Sequence, residues 1–225
     1  MLSAPTIGAR RALAIVGLVA AVFASGGALA ACGGGSAGES SAGSGSSDPA
    51  RRACPAGDAL VQVDAEAAAL SGCAAVNGDL VVGPSFTLDS AAGLADIARV
   101  TGTVDVSDNI ELGGVFLPGL VSVGGDVVIE NNRQLETASL HHLVEVGGDL
   151  TVRDNLSLLR LDLGALRRVG GAIRITGHPV LEAVALDALT RAGRIVVEDD
   201  AAWPAEEVDA LERRVHPRAA PRRDR

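Results

Sequence analysis

The sequence predicts an all-β chain, a parallel β-helix solenoid of about six 23-residue coils with short helical caps at both ends. Three observations carry that expectation. From Thr101 to Val215 the chain falls into five 23-residue lines: TGTVDVSDNIELGGVFLPGLVSV, GGDVVIENNRQLETASLHHLVEV, GGDLTVRDNLSLLRLDLGALRRV, GGAIRITGHPVLEAVALDALTRA and GRIVVEDDAAWPAEEVDALERRV. The first four share a template: Gly, an apolar–x–apolar pair, Asn or His, then apolar residues at fixed offsets. A fixed period of this length marks units that cannot bury an apolar face alone and must stack on their neighbours. Composition agrees, because apolar residues make up 48% of the chain but aromatics only 2%, with no Tyr. A narrow solenoid interior is filled by Leu, Val and Ile, whereas a compact globule leans on large aromatics. Finally, Leu150 and Val152 alternate with Thr151 and Arg153, the period of a strand with one buried face.

Each coil then builds three walls. Val104/Val106, Val127/Ile129, Ile173/Ile175 and Ile195/Val197 repeat the Leu150/Val152 pair and form the first. Leu158, Leu161 and Leu163 supply a second inward set, and Leu166 with Val169 a third. Parallel pairing at about 4.8 Å would make six coils roughly 30 Å long. Gly147-Gly148 turns a corner where a Cβ would crowd the neighbouring coil. The last line departs from the template, and Pro204 to Val215 reads as a capping helix. Pro sits in its first turn, Glu206 and Glu207 at the positive end, and Arg213 and Arg214 at the negative end. At the other end, Asp64 to Leu70 reads as a short helix with Asp64 as its cap.

Residues 1–31 read as an export signal, with Arg10 and Arg11 before the apolar run Ala12 to Ala24. The segment ends in Leu29-Ala30-Ala31-Cys32-Gly33, which resembles the bacterial lipobox. That resemblance implies cleavage before Cys32 and lipidation of Cys32, a palmitate-type anchor in a membrane. Gly33 after the Cys, with no Asp retention signal, favours the outer membrane by the same resemblance. Residues 32–50 are a Gly/Ser-rich tether, and residues 216–225 a basic tail expected to be disordered. An exported chain meets an oxidising compartment, so Cys54 and Cys73 are expected to form a disulfide. Formal net charge is −9, and removing the first 31 residues leaves −11. An acidic body of this kind argues against nucleic acid as a partner.

Residues Ser71-Gly72-Cys73-Ala74-Ala75-Val76-Asn77-Gly78-Asp79-Leu80-Val81-Val82 resemble the opening of the receptor L domain, a leucine-rich-repeat-like β-helix. The joints Val123-Gly124-Gly125-Asp126-Val127-Val128-Ile129 and Val146-Gly147-Gly148-Asp149-Leu150-Thr151-Val152 match that family's internal repeats. The resemblance spans roughly residues 54–200. It implies a receptor-L-like solenoid over residues 51–215, with an N-terminal cap at 51–76 and the C-terminal cap helix at 204–215. It names no ligand.

The column Asn109, Asn132, Asn155 and His178 reads as a structural ladder, each member bonding the open backbone of an adjacent turn. No calcium-loop pattern, zinc-ligand spacing or catalytic frame stands out, so no metal, cofactor or enzyme activity is expected. His141-His142 reads as a solvated loop. Candidate ligand contacts are the outward strand residues Asp105, Asp126, Glu130, Asp149, Arg153 and Arg174. Glu136 and Arg160 on the second wall form a weaker patch. These rows pass from acidic early coils to Arg-bearing later ones, which suits a protein or glycan. The expected function is therefore a lipid-anchored, non-enzymatic binding or cell-envelope scaffold module. Its rival is a β-helix polysaccharide lyase or hydrolase, which needs a convergent carboxylate pair or a calcium–Arg groove.

Overall fold

Every coil returns the chain to the same three walls, so strands distant in sequence become parallel neighbours. The computed structural model describes residues 54–198 and 203–216. The export signal, Cys32, the tether and residues 217–225 of the basic tail lie outside the described residues.

The first coil holds β1 (Ala59–Val61), α1 (Asp64–Ala69) and β2 (Ala75–Val76), and the second β3 (Leu80–Val82) and β4 (Arg99–Val100). Three regular coils follow: β5 (Val104–Ser107), β6 (Gly114–Phe116) and β7 (Ser122–Val123); then β8 (Val127–Glu130), β9 (Thr137–Ser139) and β10 (Glu145–Val146); then β11 (Leu150–Arg153), β12 (Arg160–Asp162) and β13 (Arg168–Val169). β14 (Ile173–Thr176) and β15 (Ala183–Ala185) make the next coil, and β16 (Ile195–Glu198) with α2 (Ala205–Val215) closes the end. Three parallel sheets result. The first has seven strands in the order β1-β3-β5-β8-β11-β14-β16, the second is five-stranded and the third four-stranded. The fold is the all-β parallel solenoid that the repeat predicts.

Inward side chains follow the template. Val104, Val106, Val127, Ile129, Leu150, Val152, Ile173 and Ile175 are buried from the first sheet, and Leu161, Leu163, Leu166 and Val169 from the other walls of one coil. At roughly 1.5–3 kcal/mol per buried aliphatic side chain, this shared core is the main source of cohesion. Register is 23 residues from β5 to β14, with Val104 beside Val127, Leu150 and Ile173 in turn. The corner glycines are forced: a Cβ on Gly147 would collide with the Gly124 carbonyl oxygen, and one on Gly170 with that of Gly147.

The ladder occupies the turn after each first-sheet strand, and Asn109, Asn132, Asn155 and His178 are all buried. Asn132 donates through Nδ2 to the Val106 carbonyl at 2.9 Å, and its Oδ1 accepts the Asn109 backbone N–H at 3.2 Å and Nδ2–H at 2.9 Å. Asn155 repeats this on Ile129 and Asn132. His178 ends the column, its ring nitrogens 3.2 Å and 3.3 Å from the carbonyls of Val152 and Asn155. The preceding residues Asp108, Asn131 and Asp154 have φ of 57°, 56° and 54°, and Gly177 has 81°. Asp, Asn and Gly suit this left-handed turn because they tolerate it at least cost.

The ends depart from the repeat. Helix α1 replaces the second wall of the first coil, and a 3₁₀ turn at Ala92–Leu94 that of the second. Asp64 is not the cap of α1: Val63 holds that position, and Glu66 reaches back to the N–H groups of Gln62 (2.6 Å) and Val63 (3.3 Å). The Asp64 carboxylate instead accepts the Ser90 N–H at 3.2 Å, tying the second coil to the first. Cys54 and Cys73 are bridged, with Cα atoms 5.4 Å apart at a sequence separation of 19. Such a loop closure is worth on the order of 3 kcal/mol. At the other end Leu211 and Val215 of α2 are buried, and Arg214 donates to the Leu186 carbonyl at 2.7 Å. Trp203 packs against the core and donates through Nε1 to Glu207, a capping contact.

Asn132→Ala would leave the Asn109 N–H buried without its partner and take one bond from the Val106 carbonyl. A buried group left without a partner costs about 1–3 kcal/mol. Urea unfolding should therefore show a loss of roughly 2–5 kcal/mol by that argument, while exposed Arg133→Ala should lie within about 0.5 kcal/mol of the parent.

Candidate interaction surface

The outer face of the seven-stranded sheet presents three rows of side chains, one residue per coil in each. In the middle row Leu60, Val81, Asp105, Val128, Thr151, Arg174 and Val196 are successive register partners. A second row runs Ser107, Glu130, Arg153, Thr176 and Glu198. The third begins each strand and contains Asp58, Asp79, Thr103, Asp126 and Asp149. All six candidate contact residues thus lie on this one face. Glu136 and Arg160 lie with the four-stranded sheet.

The third row is itself a ladder, and one that the sequence reading missed. Asp79 Oδ1 accepts the Thr103 N–H at 2.8 Å, Asp126 Oδ1 the Asp149 N–H at 2.7 Å, and Asp149 Oδ1 the Ala172 N–H at 2.7 Å. These carboxylates therefore close the coil corner with one oxygen. The signal was present in the sequence, since Asp follows the Gly pair at the same 23-residue spacing as the Asn column.

Arginines on the later coils answer acids on the earlier ones. Arg153 Nε pairs with Glu130 at 2.5 Å, and Arg174 with the free oxygen of Asp149 at 2.7 Å. The Arg174 guanidinium and the Ala172 N–H hold the Asp149 carboxyl below its ordinary range. The Glu130 carboxylate raises the Arg153 pKa. Asp105 is different. It sits half-buried between Val81 and Val128, its Oδ1 is shielded and has no hydrogen-bond partner, and no described Arg pairs with it. Burial, partly offset by a hydrogen bond with Ser107, pushes its carboxyl up.

Charge is divided along the solenoid axis. Residues 54–149 carry fourteen acids against two Arg, and residues 150–198 five acids against seven Arg. The His141 and His142 rings touch at a tilt of 53° with centroids 4.2 Å apart, His142 Nδ1 lying 2.6 Å from the Pro118 carbonyl. Among the described residues no group of three or more His, Cys, Asp and Glu is placed to hold a metal ion. No helix among them is long and apolar enough to cross a membrane.

No family model, curated protein or solved structure matches the chain.

Because the folded Asp105 pKa is raised, its charged form costs stability, and the cost is present above the folded pKa and absent below the ordinary value. Asp105→Asn should therefore raise the urea midpoint at pH 7, and the gain should shrink as pH falls into the carboxylate range.

Proposed function

We propose that the protein is a lipid-anchored, non-enzymatic binding or envelope-scaffold module whose working surface is the outer face of the seven-stranded sheet. The observation that carries this reading is the gathering of Asp105, Asp126, Glu130, Asp149, Arg153 and Arg174 onto one continuous face. In a stacked-coil protein such a face is the natural contact surface. Apart from Asp105, the carboxylates there are already engaged, Asp126 and Asp149 by backbone N–H groups and Glu130 by Arg153. That supports recognition over the carboxylate chemistry of a lyase or hydrolase. A chain with three Phe, one Trp and no Tyr offers few rings for sugars to stack on, which favours protein over glycan.

The anchor rests on the likeness of Leu29 to Gly33 to a lipobox. Cys32 would carry the lipid, and residues 33–50 would space the solenoid from an envelope membrane, the outer one by the Gly33 argument. The likeness of the Cys73–Val82 stretch to receptor L domains supports the same reading without naming a ligand.

Two readouts on the full chain in intact cells test this. Radiolabelled palmitate should enter the parent and not Cys32→Ser; equal labelling of both would remove the anchor from the account. A photo-reactive residue at Thr151 should yield adducts that one at Arg160, on the four-stranded sheet, does not. Equal adducts, or none at Thr151, would overturn the choice of face.

A further inference from the structure

We propose that the outer sheet face pairs with a second copy of itself, coil order reversed, about a two-fold axis along the strands between β8 and β11. The proposal rests on the reading of this face as the working surface and names its partner. Asp105 motivates it: a half-buried carboxylate with a shielded oxygen lacking a partner and no ion pair among the described residues. Around such an axis β5 faces the partner's β14, β8 its β11, and β3 its β16. Register then places Asp105 opposite Arg174 of the other copy, Glu130 opposite Arg153, and Asp79 at the coil that carries Arg194. Each contact occurs twice, as a self-complementary two-fold interface requires.

The shape of the face fits. Its middle row keeps short side chains at Val81, Val128, Thr151 and Val196, so two sheets can approach to the roughly 10 Å of sheet packing. Val128 meets Thr151 at the centre and Val81 meets Val196 at each end. One facing pair is like-charged, Asp126 with Asp149. Both carboxylates already accept backbone N–H groups, and Asp149 also holds Arg174. The axial division of charge acts the same way over a longer range, since reversal sets the acidic coils of one copy over the arginine-bearing coils of the other.

Six facing coils spaced at about 4.8 Å, each about four residues wide at about 3.3 Å per residue, cover roughly 400 Å² in plan. Total buried surface is then on the order of 1,000 Å², the low end for specific contacts. The pair is accordingly weak in solution, salt-sensitive, and favoured where copies share a membrane.

Charge reversal tests this with full chains carrying two different tags, co-expressed and captured by one tag at low salt. Parent copies should capture each other. Asp105→Arg with itself sets Arg against Arg, and Arg174→Asp with itself sets Asp against Asp, so each capture should fall at least five-fold. Asp105→Arg mixed with Arg174→Asp makes both contacts attractive and should recover the parent level. Should either reversal fail to fold by circular dichroism, Val128→Arg, a bulky charge at the centre, should abolish capture in its place. Parent copies that do not capture each other, folded variants that do not lose capture, or a mixed pair that does not recover would each overturn self-pairing. Adducts from Thr151 to a different protein, with no parent self-capture, would sink this inference and leave the sheet-face reading standing.

Discussion

The buried asparagine column is the constraint on which the rest of the solenoid depends. At the end of each first-sheet strand the chain turns inward, so the next backbone groups are out of reach of water. Those groups must be bonded or cost about 1–3 kcal/mol each. One Asn per coil meets both needs, donating to a carbonyl 26 residues earlier and accepting an N–H 23 residues earlier. It can do so only if successive coils stay in register, so the column and the period are two views of one requirement. Where the column ends, the period changes. Ser85 stands in its place in the second coil, spending its hydroxyl on the Gln62 carbonyl and the Leu88 N–H. There Leu80 pairs with Val104, a spacing of 24, and beyond His178 Ile173 pairs with Ile195, a spacing of 22. Asn109, facing the irregular coil, is left with its Oδ1 buried and without a partner.

Strict register also organises the surface. A charge on one coil lies one strand away from the residue 23 positions later, so a sequence-distant pair such as Glu130 and Arg153 becomes a near neighbour. Asp149 serves two purposes, fastening the corner through one oxygen and holding Arg174 through the other. Exposed ion pairs of this kind contribute little to stability, about 0–1 kcal/mol. Their consequence is an ordered, pre-positioned array of charge. Asp105 breaks the pattern, lying between Val81 and Val128 with no arginine paired to it among the described residues.

The period, the three walls, the corner glycines and the Asn column were legible because each repeats at one offset, and repetition separates packing from accident. The helix of the first coil was legible too, from Asp64 onward, but the departures of the first two coils from the 23-residue period were not. Their offsets differ, and α1 and the 3₁₀ turn at Ala92–Leu94 replace strands because local apolar spacing there serves the end of the solenoid. Asp64 was misassigned because the helix begins one residue earlier, with Val63 at the cap, and the Asp64 carboxylate is spent on the Ser90 N–H. The second role of Asp126 and Asp149 was hidden for another reason. Whether an outward carboxylate binds a ligand or its neighbour's backbone depends on which way the next strand's N–H points, and spacing alone does not carry that.

Native-state hydrogen exchange tests the central role of the column most directly. If the ladder holds the coils together, the Asn109 and Asn132 amides, accepted by side-chain oxygens, exchange only through global unfolding, with the same opening free energy as Val127 and Leu150 in the sheet core. Exchange of those two amides at the rate of exposed turn residues such as Gln134 and Leu156 would show that the core packs without the ladder, and would contradict the account.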